Sequence, residues 1–274
     1  MSVITISRAP YSMGKIIAEG VSGQLGYKCV GNEIFAMASK EFGIPETQLH
    51  RAIAHAPSFW GMLFVRRLKH ISYLQAALVK FFLNDNIVYY GPAGHLLIQG
   101  VSHILKVCIQ ANIDDRVHLK AKTEDISKKE ALRKLLKEDL DRKKWSRFIY
   151  KIEDSEKSLY DLVIDTGRTS IEDVVKNISS EALLNRYWRT TYSVNCLKNI
   201  ALAYSVKASL LDVDRDVNVR ASIGNVFIHT RALQREREKR IAVVKKATQG
   251  IEGIENLEVI ITEDIFAKYV ETYR

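Results

Sequence analysis

The stretch VITISRAPYSMGKII at residues 3–17 decides the fold. Its first four residues, Val3-Ile4-Thr5-Ile6, form a short β-branched apolar run, which predicts a buried strand. A loop follows, closed by Gly14-Lys15, and the next residues have helical spacing. This layout is typical of a phosphate-binding loop. There, backbone N–H groups and a helix N-terminus face an anion, and the lysine adds a positive charge.

The match to the pattern G-x-x-x-x-G-K-[ST] is imperfect at two positions. Ala9 stands where the first glycine belongs, and alanine tolerates a positive φ less well than glycine. Ile16 stands where a hydroxyl would bind Mg²⁺, and its side chain offers the metal no ligand. The loop alone therefore leaves two interpretations open, a phosphate site or an ordinary strand–turn–helix unit.

The chain as far as about residue 185 alternates predicted strands with predicted helices. A long helical pattern covers Ser58–Asn84, and Ser127 and Ser170 are placed to cap two later helices. Apolar strands that alternate with helices form parallel sheets covered on both faces. We therefore expect an α/β fold with a mostly parallel sheet. The further predicted strands are Gly26–Val30, Ile87–Gly91, Leu105–Ile109 and Leu162–Thr166.

Several motifs in this part occur in the order of one known family. The most specific runs from Tyr160 to Arg168 (YDLVIDTGR) and is followed by Ile171-Glu172. The others are Ile4–Arg8, Ile17-Ala18, Ala111–Arg116 and Asp141-Arg142 with Arg147. Together they resemble the P-loop nucleoside monophosphate kinases of the cytidylate-kinase-like family, over about Val3–Leu183. The resemblance implies a P-loop kinase-like domain at residues 1–185.

The resemblance also implies an activity, transfer of the γ-phosphoryl group of ATP, with Mg²⁺, to a nucleoside monophosphate. Such catalysis is mostly positioning and charge neutralisation. In this reading Lys15, Arg142 and Arg147 act in catalysis, the two arginines from a basic lid, with Lys137, Lys143 and Lys144 as reserves. Arg116 would lie near the adenine or the lid hinge. The nucleotide-binding residues would be Pro10, Tyr11, Ser12, Met13, Gly14, Lys15, Ile16 and Arg116.

The departures from the family pattern lie in the acceptor site. Gly31-Asn32 stands where the family carries an Asp-Arg pair, although Glu33 is retained, and Pro92 stands where the family carries an arginine. Losing two guanidinium groups would weaken monophosphate binding by about 100-fold or more. Two functions therefore stay open: a kinase with an altered acceptor site, or a catalytically degenerate nucleotide sensor with a regulatory role.

The residues after about Thr190 follow a different pattern. A predicted helix at Ser193–Leu211 precedes a hairpin around Gly224, a charged helix at Ala232–Gln249 and a strand at Leu257–Ile261. This order, with the segment Gly250–Asn256, resembles a BON domain. The resemblance implies a small α+β domain of order αββαβ at residues 190–263, followed by a tail at 264–274. A protein partner or a homo-oligomer could form through it.

Composition and charge exclude several classes of protein. A chain of 274 residues that is 47% hydrophobic and 27% charged is neither fibrous nor disordered, and its length predicts about two domains. The net charge of +9 is concentrated in Lys120–Lys151, which holds twice as many basic as acidic residues. Few aromatic residues interrupt this segment, so we expect a nucleotide or a small phosphorylated molecule as its partner rather than nucleic acid.

The three cysteines and the apolar segments predict the compartment. Three widely spaced cysteines do not form a disulfide framework and suit a reducing compartment. The apolar run at residues 2–6 is too short for a signal peptide. The uncharged stretch Asn86–Leu105 contains Pro92 and two histidines, so it is not a membrane span. We expect a cytoplasmic protein without a membrane partner, and no metal site, since His50, His55, His95 and His103 lack further ligands at suitable spacing.

Overall fold

The structure is a computed structural model, and it describes residues 3–54, 62–91, 93–153, 156–214 and 216–263, with the backbone alone at 54 and 62–65. The predictions that concern His55, Pro92 and the tail at 264–274 lie outside these residues.

Five strands form a parallel sheet in the order β2-β3-β1-β4-β5. Every neighbouring pair is parallel, and the central strand is the apolar run at the start of the chain. This confirms the predicted P-loop kinase-like α/β fold. The strands are β1 (Val3–Arg8), β2 (Lys28–Val30), β3 (Ile87–Tyr90), β4 (Ile104–Gln110) and β5 (Leu162–Asp165).

Helices cover both faces of this sheet. Val3 packs into a core with α2, α3 and α4, whereas Ile4 and Ile6 pack into a second core with α1 and α8. Ser127 and Ser170 cap α7 and α8 as predicted, each accepting a backbone N–H three residues later. The helices are α1 (Gly14–Leu25), α2 (Glu33–Phe42), α3 (Glu46–Ala54), α4 (Met62–Phe82), α5 (Gly94–Leu97), α6 (Ile113–Glu124), α7 (Lys128–Tyr150) and α8 (Ile171–Ala182).

A second sheet of three strands follows in the order β6-β7-β8, with β7 antiparallel to β6 and parallel to β8. The predicted order of elements is confirmed, but the predicted start of the second helix at Ala232 is wrong. Because β7 pairs with β8 as far as Ala232, the helix begins only at Arg237. The elements are α9 (Thr191–Leu210), β6 (Asn218–Ser222), β7 (Asn225–Ala232), α10 (Arg237–Thr248) and β8 (Asn256–Glu263).

Helix α9 contributes to the cores of both sheets. Leu197 and Ala201, in its first half, are buried with residues of α4 and the first sheet. Val206 and Leu210, in its second half, are buried against the second sheet. The two sheets therefore share one element. No helix among the described residues is long and apolar enough to span a membrane.

Candidate functional site

The loop between β1 and α1 turns through two residues in the left-handed region. Tyr11 has φ 59° and Met13 has φ 60°. The sequence pointed to backbone strain at Ala9, but the positive φ angles fall at these two residues, where a side chain costs about 1–2 kcal/mol each. The Ser12 hydroxyl donates to the Ala9 carbonyl at 2.8 Å and holds the loop closed. The loop is therefore a strained turn that its own contacts keep in shape.

The backbone amides of this loop are open. Those of Tyr11–Ile16 donate to no acceptor in the described part of the chain, and the first helical bond is donated by Ile17 to Met13 at 3.1 Å. A cavity of about 380 Å³ opens over the loop, with Leu119 of α6 on its far side. Open amides at the N-terminus of a 12-residue helix attract an anion, because the helix dipole adds to their partial charges. The loop therefore fits a phosphate group.

The side chains of Lys15 and Ile16 match the phosphate-binding pattern less well than the amides do. The Lys15 side chain is 63% exposed and runs along α1, with its Nζ 3.7 Å from Glu19. It must turn back toward the loop to reach a phosphate. Ile16 is half exposed and has no oxygen to offer a metal. The loop thus offers amides to phosphate and no hydroxyl at the position after the lysine.

Arg116 ties the loop to the helices beside it. Its guanidinium is buried, its Nε donates to the Pro10 carbonyl at 2.8 Å, and its two Nη atoms bind the Asp139 carboxylate at 2.9 and 2.8 Å. The residue comes from α6, and its carboxylate partner comes from α7. Arg116 therefore positions the loop, with these three donors directed at Pro10 and Asp139.

A second anchor joins Tyr11 to the same two helices. Its hydroxyl donates to Glu124 at 2.7 Å, and Lys120 lies 4.6 Å from its ring centroid. The buried Lys120 ammonium pairs with Glu124 at 2.8 Å and Glu138 at 2.7 Å. Burial alone would lower the pKa of Lys120, but hydrogen bonds to the two carboxylates raise it. The Lys120 hydrogen bond likewise lowers the pKa of Glu124 to about 2. Sequence reasoning missed this network, although Lys120 and Glu124 stand at the helical i,i+4 spacing.

The predicted lid segment is a continuous helix, α7, and its two arginines lie apart. Arg142 reaches the end of β1, next to the loop: it donates to the Arg8 carbonyl and, at 2.7 Å, to the Ser7 hydroxyl. Arg147 is exposed and pairs with Glu153 near the end of the helix. A cavity of about 430 Å³ between α7 and β4 is lined by Arg8, Arg116, Arg142 and Lys143, among others. The structure thus brings Arg142, but not Arg147, to the end of β1 beside the loop.

The opposite side of the loop, at the ends of β2 and β3, is built around Tyr90. A β-carbon at Gly31 would come within 2.8 Å of the Tyr90 ring, so only glycine fits there. The Gly31 amide donates to Glu33 at 2.6 Å, which lowers the pKa of that carboxyl. The guanidinium carbon of Arg8 lies over the ring, 5.9 Å from its centroid. Sequence reasoning included Arg8 in the family motif Ile4–Arg8 but assigned its side chain no role.

His95 is buried on α5, directly after the end of β3. Neither ring nitrogen has a hydrogen-bond partner among the described residues, and the ring lies 4.5 Å from that of Tyr160. Burial, with smaller contributions from Arg142 and Lys106, lowers the pKa of His95 to about 3. His95 is therefore neutral at physiological pH. The described residues include no group of three side chains that could hold a metal ion.

Comparison with known families agrees with this geometry. The cytidylate kinase-like family matches residues 3–168, which is more than half of the chain. The chain belongs to this family. The match covers all five strands of the first sheet and the loop between β1 and α1, and it ends before α9 and the second sheet.

Individual relatives support the same assignment. The cytidylate kinase of Methanocaldococcus jannaschii is 29% identical over 185 residues, which cover 65% of this chain and 96% of the relative. That of Methanothrix thermoacetophila is 30% identical over 173 residues, covering 61% and 89%. A crystal structure of an uncharacterized protein from Eubacterium ventriosum superposes with a TM-score of 0.50 at 14% identity, over 66% of this chain and 98% of that one. This last likeness concerns the fold alone.

Proposed function

We propose that the protein is an ATP-dependent phosphotransferase that acts on a nucleoside monophosphate or a related small phosphorylated molecule. One observation carries this proposal: the open amides of Tyr11–Ile16 at the N-terminus of α1. They lie in the loop that the family match includes. The names of the two cytidylate kinase relatives support the class of acceptor.

Three groups would hold the donor phosphates of ATP. The amides of Tyr11–Ile16 bind their oxygens, Lys15 turns back from Glu19 to join them, and Arg142 neutralises charge from the side of α7. Arg116 keeps the loop in place through Pro10. The position after the lysine offers no ligand for a directly bound Mg²⁺, because the side chain of Ile16 has no oxygen. We therefore assign no step to the metal.

Calorimetric titration with Mg-ATP tests the proposal. We expect Lys15→Ala to weaken binding by about tenfold or more, because a charge-assisted contact to phosphate is lost. The control is Lys80→Ala, an exposed lysine that pairs with Glu41 on the α2–α4 side of the fold. Full Mg-ATP affinity in Lys15→Ala would contradict the proposal. Phosphoryl transfer is then assayed in the same samples across a panel of monophosphates.

A second candidate function is a nucleotide sensor that binds ATP without transferring its γ-phosphoryl group. It is favoured by the apolar Ile16 at the expected metal position and by the Tyr90 ring packed on Gly31, where the family resemblance implies acceptor-binding residues. Binding without turnover on any monophosphate would support it. Turnover on any of them would exclude it.

We propose further that residues 190–263 form a BON-like unit that binds a ligand, a protein partner or a second copy of the chain. The order α9-β6-β7-α10-β8 supports this resemblance. The three free, half-buried cysteines suit a reducing, cytoplasmic setting. Sedimentation velocity of the full chain over a range of concentrations tests self-association, and a purely monomeric protein would rule out a homo-oligomer.

A further inference from the structure

Arg8, the last residue of β1, is held in a fixed place beside the loop. Its aliphatic chain lies against Gly14, where an added β-carbon would come within 2.9 Å of the Arg8 β-carbon. Its guanidinium carbon lies over the Tyr90 ring at the end of β3. The same ring requires glycine at position 31. Two glycines and one aromatic ring thus shape a slot that orients this one side chain.

The charge of Arg8 has no counter-ion in the described part of the chain. No described carboxylate forms an ion pair with it, and its Nε is buried without a hydrogen-bond partner among the described residues. The guanidinium of Arg142 donates to the backbone carbonyl of Arg8, so a second positive charge approaches the end of β1. Burial, and then the charge of Arg142, lower the pKa of Arg8. A desolvated guanidinium next to another is unfavourable until an anion joins them.

Arg8 lies between the places for two anions. The open amides of Tyr11–Ile16 face the cavity over α1, which is the place for the donor phosphates. Arg8 also lines this cavity, and its guanidinium carbon lies over the ring of Tyr90 in β3, the neighbouring strand. Ligands of open α/β sheets bind at the carboxyl ends of the strands. A second ligand beside the loop would therefore meet Arg8 at the ends of β1 and β3.

We propose that Arg8 binds the phosphate of the acceptor and is thus a substrate-binding residue of the transfer reaction. This inference rests on the function proposed above and deepens it. It gives a reason for the slot formed by Gly14, Gly31 and Tyr90, which places a guanidinium next to the transferring group. The class of acceptor it implies is a small molecule that already carries a phosphate or an equivalent dianion.

Steady-state kinetics and Mg-ATP calorimetry on Arg8→Gln test the proposal, using the acceptor that gives turnover in the panel. We expect KM for the acceptor to rise by about 10- to 100-fold. Although Arg8 borders the donor cavity, the Mg-ATP affinity should stay within about threefold of wild type, because the loop amides and Lys15 hold the donor phosphates. Lys80→Gln, an exposed lysine that pairs with Glu41 on the α2–α4 side of the fold, is the control and should change neither value by more than about threefold. Equal weakening of ATP and acceptor, or no change in either, would overturn the proposal.

Arg8→Lys keeps the positive charge but loses the paired N–H donors of the guanidinium. This variant is used as well because Arg8→Gln could fail to fold. We expect an intermediate rise in acceptor KM with Mg-ATP binding retained. Arg8→Lys with wild-type acceptor KM would overturn the assignment.

Inorganic phosphate separates failure of this proposal from failure of the proposed function. If the wild-type protein shows no turnover, thermal unfolding is followed with added inorganic phosphate. Phosphate could stabilise the wild type and Lys15→Ala but not Arg8→Gln or Arg8→Lys. That result would support an anion site at Arg8 and contradict only the kinase function. Absence of stabilisation in the wild type, or equal stabilisation of all variants, would overturn the site as well.

Discussion

The two sheets of this protein are built on different burial patterns. In the first sheet, β1 is buried from Val3 to Ser7, because helices cover both faces. In the second, β7 alternates: Val226 and Ile228 are buried against α9 and α10, whereas His229 and Arg231 are exposed. The doubly covered sheet offers the ends of its strands as a sheltered site. The second sheet offers a solvated face and depends on α9 for its core.

The second sheet is joined to the first by more than a linker. The first half of α9 completes the core of the first sheet around α4, and the second half forms the core of the second. The Lys69–Asp212 ion pair at 2.5 Å and the pairing of Arg189 with Asp85 join the two parts further. The cores of the two sheets are therefore joined through one helix.

The largest effect is expected from two matched substitutions in α9. Leu197 and Leu210 are both nearly fully buried, the first in the core shared with α4 and the second in the core of the second sheet. Leu197→Ala and Leu210→Ala should each cost about 2–5 kcal/mol of the free energy of unfolding, because each leaves a cavity. Since α9 couples the sheets, both variants should shift a single unfolding transition.

Urea unfolding followed by fluorescence and by circular dichroism measures this coupling. Two separate transitions, with Leu210→Ala lowering only one of them, would show that the sheets unfold independently. That outcome would show that α9 does not make the two sheets one cooperative unit.

An effect of intermediate size is expected from two histidines, one in each unit. His95 is buried and its pKa is about 3, below its usual 6.5, so protonation favours the unfolded chain. The stability that neutral His95 contributes is complete above pH 6.5 and is lost as the pH falls from 6.5 toward 3. Between pH 7 and pH 5 the wild type should lose about 2 kcal/mol of stability through this group.

The histidine prediction is checked with His95→Gln and the exposed control His229→Gln. The difference in unfolding free energy between pH 7 and pH 5 should shrink in the first variant and stay unchanged in the second. Some acid sensitivity should remain, because burial also lowers the pKa of His70 and His103. An identical pH dependence in all three proteins would show that His95 is not a buried neutral group.

The smallest effect concerns the two strained turns, one beside each sheet. Met13 has φ 60° in the loop after β1, and Ile223 has φ 45° in the hairpin of β6 and β7. Asparagine tolerates these angles better, and Asn-Gly is the favoured pair for such a hairpin. Met13→Asn and Ile223→Asn should each raise the free energy of unfolding by about 0.5–1 kcal/mol. Calorimetry that shows a loss in both would mean that contacts, not backbone strain, dominate these turns.

Local patterns in the sequence were sufficient for most elements of the fold. The apolar run at Val3–Ile6 predicted the central strand, the caps at Ser127 and Ser170 marked two helix starts, and Gly224 marked the hairpin. These features depend on neighbours within a few residues. The predicted start of α10 failed, because pairing between β7 and β8 extends the strand to Ala232.

The candidate site was predictable only in part. The loop and its Gly14-Lys15 pair were recognisable, because a phosphate-binding loop is one contiguous segment. Arg8, and the ties made by Arg116 to Pro10 and by Lys120 to Glu138, were not. Each of these joins residues that are distant along the chain or gains its meaning from a ring on another strand.

The sequence by itself thus determined the parallel sheet, the loop between β1 and α1 and the order of elements in the second unit, because hydrophobic periodicity, caps and turn residues act locally. Tertiary structure alone decided that α9 is shared by both cores, that Arg142 rather than Arg147 reaches the end of β1, and that Arg8 lies over Tyr90. The reason is physical. Packing and the pairing of buried charges depend on which surfaces come into contact in the folded protein, and the spacing of residues along the chain does not show which surfaces these are.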